Sequence, residues 1–160
     1  SYIDIKATAI VDIDWAEFYW LGSATAGKDG ISIATTTGSF DIKYSSLHDF
    51  VVSGSDGIVV TGTASSNYVI RYCNFFNIHS IHLTIAVTSG TWLVDGCFFV
   101  RNATAVTIIS QNDVGGTFTN NTIVGGGGQY CWLIQEPFTV FTGTISDNTA
   151  HSNSFGVYLT

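Results

Sequence analysis

Charge is what this chain has least of. Charged residues make up 11% of its 160 positions, where an ordinary soluble domain carries about 25%. Five are lysine or arginine and twelve are aspartate or glutamate, for a formal net charge of −7. So few cations cannot neutralise a phosphate backbone, which excludes a nucleic-acid partner. The same shortage disfavours an anionic membrane surface. No apolar run approaches the ~18 residues of a membrane-crossing helix, so membrane insertion of that kind is excluded. The first residues do not read as a secretory leader. Methionine is absent and proline occurs once, at Pro137. The cysteines are Cys73, Cys97 and Cys131. An odd count without CxxC spacing is neither a disulfide framework nor a zinc site. No segment keeps a 3.6-residue apolar period long enough for a helix.

What the chain does have is a short apolar-x-apolar phrase that returns about every 25 residues. The copies are Ile3-Asp4-Ile5, Ile31-Ser32-Ile33, Ile58-Val59-Val60, Leu83-Thr84-Ile85, Val106-Thr107-Ile108, Cys131-Trp132-Leu133 and Val157-Tyr158-Leu159. A fixed period in this range marks stacked repeats. Two further alternating stretches follow each of the first six copies. The second begins at Val11, Phe40, Tyr68, Trp92, Gly116 and Gly143; the third, after a two-residue corner, begins at Ala16, Ser45, Cys73, Cys97, Asn121 and Asn148. Strand side chains alternate between faces, and the inward positions of this register are predominantly apolar. A two-residue corner that preserves a parallel repeat cannot be a hairpin. The expectation is therefore an all-β chain, residues 1–160 forming a single right-handed parallel β-helix of about six rungs with three short strands per rung.

The phrases Tyr72-Cys73-Asn74-Phe75-Phe76-Asn77, Gly96-Cys97-Phe98-Phe99-Val100-Arg101-Asn102 and Asn120-Asn121-Thr122-Ile123-Val124-Gly125 resemble the rungs of the pectin-lyase-like β-helix superfamily. In character the chain is closest to its phage tailspike and fibre members. The resemblance implies an extracellular or virion-surface setting and a homo-oligomer, with a trimer as the expectation. The superfold hosts lyases, hydrolases, epimerases, adhesins and tailspikes, so it does not by itself assign an activity.

The outward first-strand row reads Asp4, Ser32, Val59, Thr84, Thr107, Trp132 and Tyr158. Only Asp4 is ionisable, and acid–base chemistry on sugars needs positioned carboxylates or a comparable base. The row therefore argues against catalysis. Val59, Thr84, Thr107, Trp132 and Tyr158 instead offer apolar, aromatic and hydroxyl groups suited to a glycan or a protein interface. The plainer reading is scattered surface residues. The second-to-third-strand corner stacks Asp14, Lys43, Arg71 and Asp95, with Asp12, Asp41 and Glu17 nearby. If the chain is an enzyme, a polysaccharide lyase or glycoside hydrolase, its catalytic candidates are Asp12, Asp14, Glu17, Arg71 and Asp95. As a structural feature, the same charges pin register between rungs, with Asp14 beside Lys43 and Arg71 beside Asp95.

Asp29-Gly30 and Asp56-Gly57 share one turn position; turn chemistry explains them better than calcium does. His79 and His82 lie three apart without further ligands, and His48 and His151 stand isolated. No metal and no cofactor is expected. Cys73, Cys97, Asn121 and Asn148 fall in one inward column, where the asparagines would form an amide ladder and the thiols act as small buried hydrophobes. Outward threonines (Thr84, Thr107, Thr122, Thr149) raise ice binding as a remote third reading. No capping helix is recognisable at either end, so a longer chain, an end-on partner chain or an oligomer is expected to cover the strand edges. The leading expectation is a non-catalytic structural or recognition segment of a virion fibre or tailspike-like surface protein, in contact with polysaccharide.

Overall fold

A computed structural model of the chain describes residues 1–23, 25, 28–35, 38–50, 56–62, 67–87, 90–100, 106–111, 116–125, 130–135, 143–151 and 157–159. Side chains at 7, 35, 62, 87, 106–111, 130–135 and 157–159 lie outside what is described.

The described residues form strands and turns with no helix. The first sheet stacks Ile3–Ala7, Ile31–Thr35, Ile58–Gly62, Leu83–Val87, Val106–Gln111, Tyr130–Gln135 and Val157–Leu159. The second stacks Ile10–Asp14, Ser39–Lys43, Asn67–Arg71, Thr91–Asp95, Gly116–Thr119 and Thr144–Ser146. The third stacks Glu17–Tyr19, Ser46–Phe50, Asn74–Ile78, Phe98–Val100, Thr122–Val124 and Thr149–His151. Each strand pairs in parallel with the equivalent strand of the next rung. The architecture is a parallel β-solenoid with three sheets.

The solenoid amounts to about four turns rather than the six rungs expected. The difference lies at the ends. Among the described side chains from Ile31 to Ile123 the inward ones are sealed, including Phe40, Leu47, Phe75, Phe99 and Phe118. At the first rung Ile3, Val11, Ile13 and Phe18 are only half buried, and at the last Ile145 is half buried and Ala150 exposed. An end rung has a neighbour on one side only, so its inward groups lose half their cover.

Inside, equivalent positions pile into files along the axis. Phe75 and Phe99 stack with ring centroids 4.7 Å apart, and Phe99 pairs with Ile123. The second-sheet file reads Val11, Phe40, Tyr68, Trp92, Gly116. Trp92 is the bulkiest member, and the indole occupies the space where a Cβ on Gly116 would sit. A large side chain is thus accommodated by none in the next rung.

The corner between the second and third sheets is made by one residue in the left-handed region. Trp15, Tyr44, Tyr72, Gly96, Asn120 and Asp147 hold this place in successive rungs, with φ between 49° and 64°. Beneath it a polar file closes the corner's hydrogen bonds. The Ser45 hydroxyl donates to Lys43 O at 2.7 Å and accepts from Ala16 N at 3.0 Å. The Cys73 thiol donates to Arg71 O at 3.2 Å, and the Cys97 thiol to Asp95 O at 3.5 Å. Asn121 donates to Val94 O and to Asn148 Oδ1, both at 3.0 Å, and its own Oδ1 accepts from Cys97 N at 2.9 Å. The amide ladder read from the sequence is present, and it satisfies main-chain groups that burial would otherwise strand.

Candidate recognition surfaces and acid–base groups

The outward first-sheet row begins as the sequence suggested: Asp4 pairs with Ser32, Ser32 with Val59 and Val59 with Thr84. Beyond Thr84 it departs. Leu83 pairs with Ile108 and Thr84 with Ile109, so Thr107 sits two residues off the row. Trp132 pairs with Ile108, which places it in the file of Leu83, a residue of the buried core. Tyr158 pairs with Leu133 and keeps the expected place. The segments around Ile108-Ile109 and Trp132-Leu133-Ile134 are apolar on both alternations, so patterning alone leaves their register open. Even pitch decides it: Leu83, Ile108, Trp132 and Val157 follow at 25, 24 and 25 residues. The side chains of Thr107, Trp132 and Tyr158, and of Cys131, lie outside the described residues. Val59 is half buried, and the Thr84 hydroxyl donates to Asp56 Oδ2 at 3.3 Å.

The charges of the second sheet stack as read. Asp12 pairs with Asp41, Asp14 with Lys43, Lys43 with Arg71, and Arg71 with Asp95. Lys43 Nζ, however, turns to Asp41 Oδ2 at 3.0 Å and Asp12 Oδ1 at 3.6 Å instead of to Asp14. The hydrogen bond to Asp41 holds the ammonium above its ordinary pKa. One cation thereby offsets two stacked carboxylates. Arg71 Nε lies 3.6 Å from Asp95 Oδ2, while Asp95 Oδ1 accepts from Asn120 Nδ2 at 2.9 Å. Asp95 is buried. Asp12, Asp14, Arg71 and Asp95 thus line one face, and Glu17 projects from another sheet; the five candidates do not converge on a common point.

Glu17 belongs to a cluster that the sequence did not disclose. His48 Nε2 lies 2.9 Å from Glu17 Oε1, and Nδ1 lies 2.8 Å from Asp49 Oδ2. Asn77 donates to the other Asp49 oxygen. Both imidazole nitrogens face carboxylate oxygens, so both are donors only in the imidazolium form. Burial works against that charge, but the hydrogen bonds to Asp49 and Glu17 outweigh it and hold His48 above its ordinary pKa. Asn77 and His48 together hold Asp49 below the usual carboxylate range. The ring also stacks on Phe76, with centroids 4.5 Å apart and planes 4° from parallel, and more distantly on Tyr19 at 6.0 Å. The available signal was register: Tyr19 and His48 are paired, which sets Glu17 one diagonal step away.

Aromatic exposure is concentrated on the same side of the molecule. Nine large apolar side chains are exposed among the described residues, and seven of them lie on the third sheet or its corners. Trp15, Tyr44 and Tyr72 form a stack, with centroid distances of 4.7 and 5.2 Å. Its inner end rests on Gly96, where an added Cβ would meet the Tyr72 ring at 2.6 Å. Phe76 and Phe98 stand on the sheet itself, 37% and 40% exposed. Bulky residues in the left-handed region cost about 1–2 kcal/mol each, and here three of them occur in consecutive rungs. Mutual stacking offsets part of that strain.

The remaining sequence candidates resolve into structure. Asp29 is raised by burial and by the nearby Asp56, and Asp56 Oδ1 accepts from Ile81 N at 3.1 Å. His82 is buried and its Nε2 donates to Val100 O at 2.9 Å, whereas His79 is exposed. Burial pushes the Cys97 thiol well up, so it is a poor nucleophile. No group of three or more His, Cys, Asp or Glu side chains suited to a metal ion occurs among the described residues, and no described helix is long and apolar enough to cross a membrane. Comparison with protein-family models, with curated proteins and with solved structures gave no match.

Proposed function

We propose that this chain is a non-catalytic structural and recognition β-solenoid, a segment of an extracellular or virion fibre of the tailspike kind. On this reading it is a right-handed coil related to the pectin-lyase-like superfamily and assembles as a homo-oligomer, a trimer, that contacts polysaccharide. The observation that carries the reading is the axial continuity of its side chains. Phe75–Phe99 inside, Trp15–Tyr44–Tyr72 at the corner and Tyr19–His48–Phe76 outside all stack along one direction. Such files stiffen a rod. Part of the charge of the second sheet is spent on neighbours: Lys43 on Asp41, Asp95 on Asn120. Glycan contact falls to the first-sheet row around Val59, Thr84 and Tyr158.

The test is incubation of the chain with neutral and acidic polysaccharides, following the appearance of reducing or unsaturated ends. No release is expected. Release that disappears in Arg71→Ala or Glu17→Gln establishes the alternative, a polysaccharide lyase or glycoside hydrolase. The Glu17–His48–Asp49 hydrogen-bonded chain is the observation that keeps this second reading in view, since it is the one described place where an imidazole bridges two carboxylates.

A further inference from the structure

We infer that Glu17, His48 and Asp49 form a proton-operated clasp between two neighbouring rungs, in which loss of one proton from the His48 ring lets go of Glu17 and keeps Asp49. The rungs meet here through the strands Glu17–Tyr19 and Ser46–Phe50, and His48 stands on the second of them. Its Nε2 lies 2.9 Å from Glu17 Oε1 across the strand pair, and its Nδ1 lies 2.8 Å from Asp49 Oδ2 on its own strand. An ionised carboxylate has no proton to give, so both contacts are hydrogen bonds only while the ring carries two N–H groups. The neutral ring carries one. The other nitrogen then turns a lone pair on a carboxylate oxygen at contact distance, and the cluster passes from one net negative charge to two. One of the two contacts has to open.

The surroundings decide which. Asp49 is held at its second oxygen by Asn77, which comes from the next strand, Asn74–Ile78. Glu17 has 65% of its side chain in solvent, and among the described residues its carboxylate bonds to His48 alone. The ring itself is the fixed member. It lies on Phe76 with planes 4° from parallel, and its side chain is 13% exposed. Tyr19 covers it from the strand that carries Glu17. The titratable groups that face His48 are therefore Glu17 and Tyr19 from one neighbouring strand and Asp49 from its own; Asn74–Ile78 brings only Phe76 and Asn77. Tyr19 stays neutral up to about pH 10. Neutral His48 keeps its proton on Nδ1, towards Asp49, and Glu17 swings into water.

The release acts on a short strand. Glu17–Tyr19 pairs with Ser46–Phe50 over three residues, and the Glu17–His48 bond is a charged tie across that pair. With the tie open, the strand is held by its main-chain bonds, such as Ser46 N donating to Ala16 O at 2.9 Å, and by the more distant Tyr19–His48 stacking. Histidine is the side chain whose charge changes near neutral pH, so a contact that needs its charged form is set by pH alone. Local opening of the Glu17–Tyr19 strand becomes easier as the proton leaves, while rungs further along the axis keep their hold.

Nuclear magnetic resonance of the wild type and of Glu17→Gln, from about pH 5.5 to about pH 9, tests this. Ring nitrogen shifts of His48 read its tautomer, and the Glu17 carboxyl carbon reads the release. Protection of the Ser46 amide, relative to that of the Phe98 amide that donates to Cys73 O at 2.9 Å, reads the strand. In the wild type the Nδ1–H tautomer is expected on the alkaline side. The Glu17 carboxyl carbon is expected to inflect at the midpoint of His48, and Ser46 protection relative to Phe98 to fall about 5-fold across it. A glutamine both donates and accepts, so in Glu17→Gln the contact survives either state of the ring and the protection ratio is expected to stay level with pH. An Nε2–H tautomer with the Asp49 carboxyl moving instead overturns the choice of Glu17. A protection ratio that stays level in the wild type, or that falls equally in Glu17→Gln, overturns the clasp.

Discussion

At the residue scale, His48 is the most informative side chain. Its pKa is raised in the folded state by Asp49 and Glu17, from the ordinary 6.5. A raised basic pKa contributes stability that is complete below the unfolded value and is lost as pH climbs through the folded one. The melting temperature is thus expected to fall as pH rises from about 6.5 through neutrality, and His48→Gln is expected to remove that dependence. A variant with the same alkaline limb as the wild type contradicts the clasp. Asp49 acts at the other end: its lowered pKa adds stability that disappears as pH drops through that value. Gly116 makes a separate point. A methyl there meets the indole of buried Trp92, so Gly116→Ala is expected to cost about 1–3 kcal/mol by overpacking. Trp92→Leu in the same chain should restore much of it in denaturant melts. Neither residue advertises itself in the sequence. A lone histidine and a strand glycine acquire meaning only when the neighbouring rung is in place.

At the element scale, the corner file decides how each rung closes. Asn121 makes hydrogen bonds to Val94 O, Cys97 N and Asn148 Oδ1, so Asn121→Ala leaves buried main-chain groups unpaired. A loss of about 3 kcal/mol is expected by urea unfolding, against almost none for exposed Thr149→Ala. Equal effects of the two would contradict the ladder. The second and third strands were legible where their apolar residues fall on one alternation, as in Phe40-Asp41-Ile42 and Ser46-Leu47-His48. The first strands were legible only as far as Leu83. From there Ile108-Ile109 and Leu133-Ile134 supply apolar residues to either face, and a one-residue choice at Trp132 reverses its side. The asparagine pair was readable because both residues occupy one inward column. The Glu17–His48–Asp49 cluster was not, because it joins diagonal positions in different rungs through rotamers that patterning does not fix. The charged corner was readable as a row, while Lys43's choice of Asp41 over Asp14 depended on side-chain reach.

At the scale of the whole molecule, three sheets wind around one axis and their side chains form continuous files from rung to rung. The closed corner and the axial files alike require equivalent strands to lie directly over one another and to run the same way. Interstrand amide and Hα nuclear Overhauser contacts in the isotope-labelled protein read that arrangement residue by residue. Parallel stacking predicts contacts in the same order along both strands, with Leu83 near Ile108, Thr84 near Ile109 and Ile85 near Ser110. The reversed order, with Leu83 near Ser110 and Ile85 near Ile108, would contradict it.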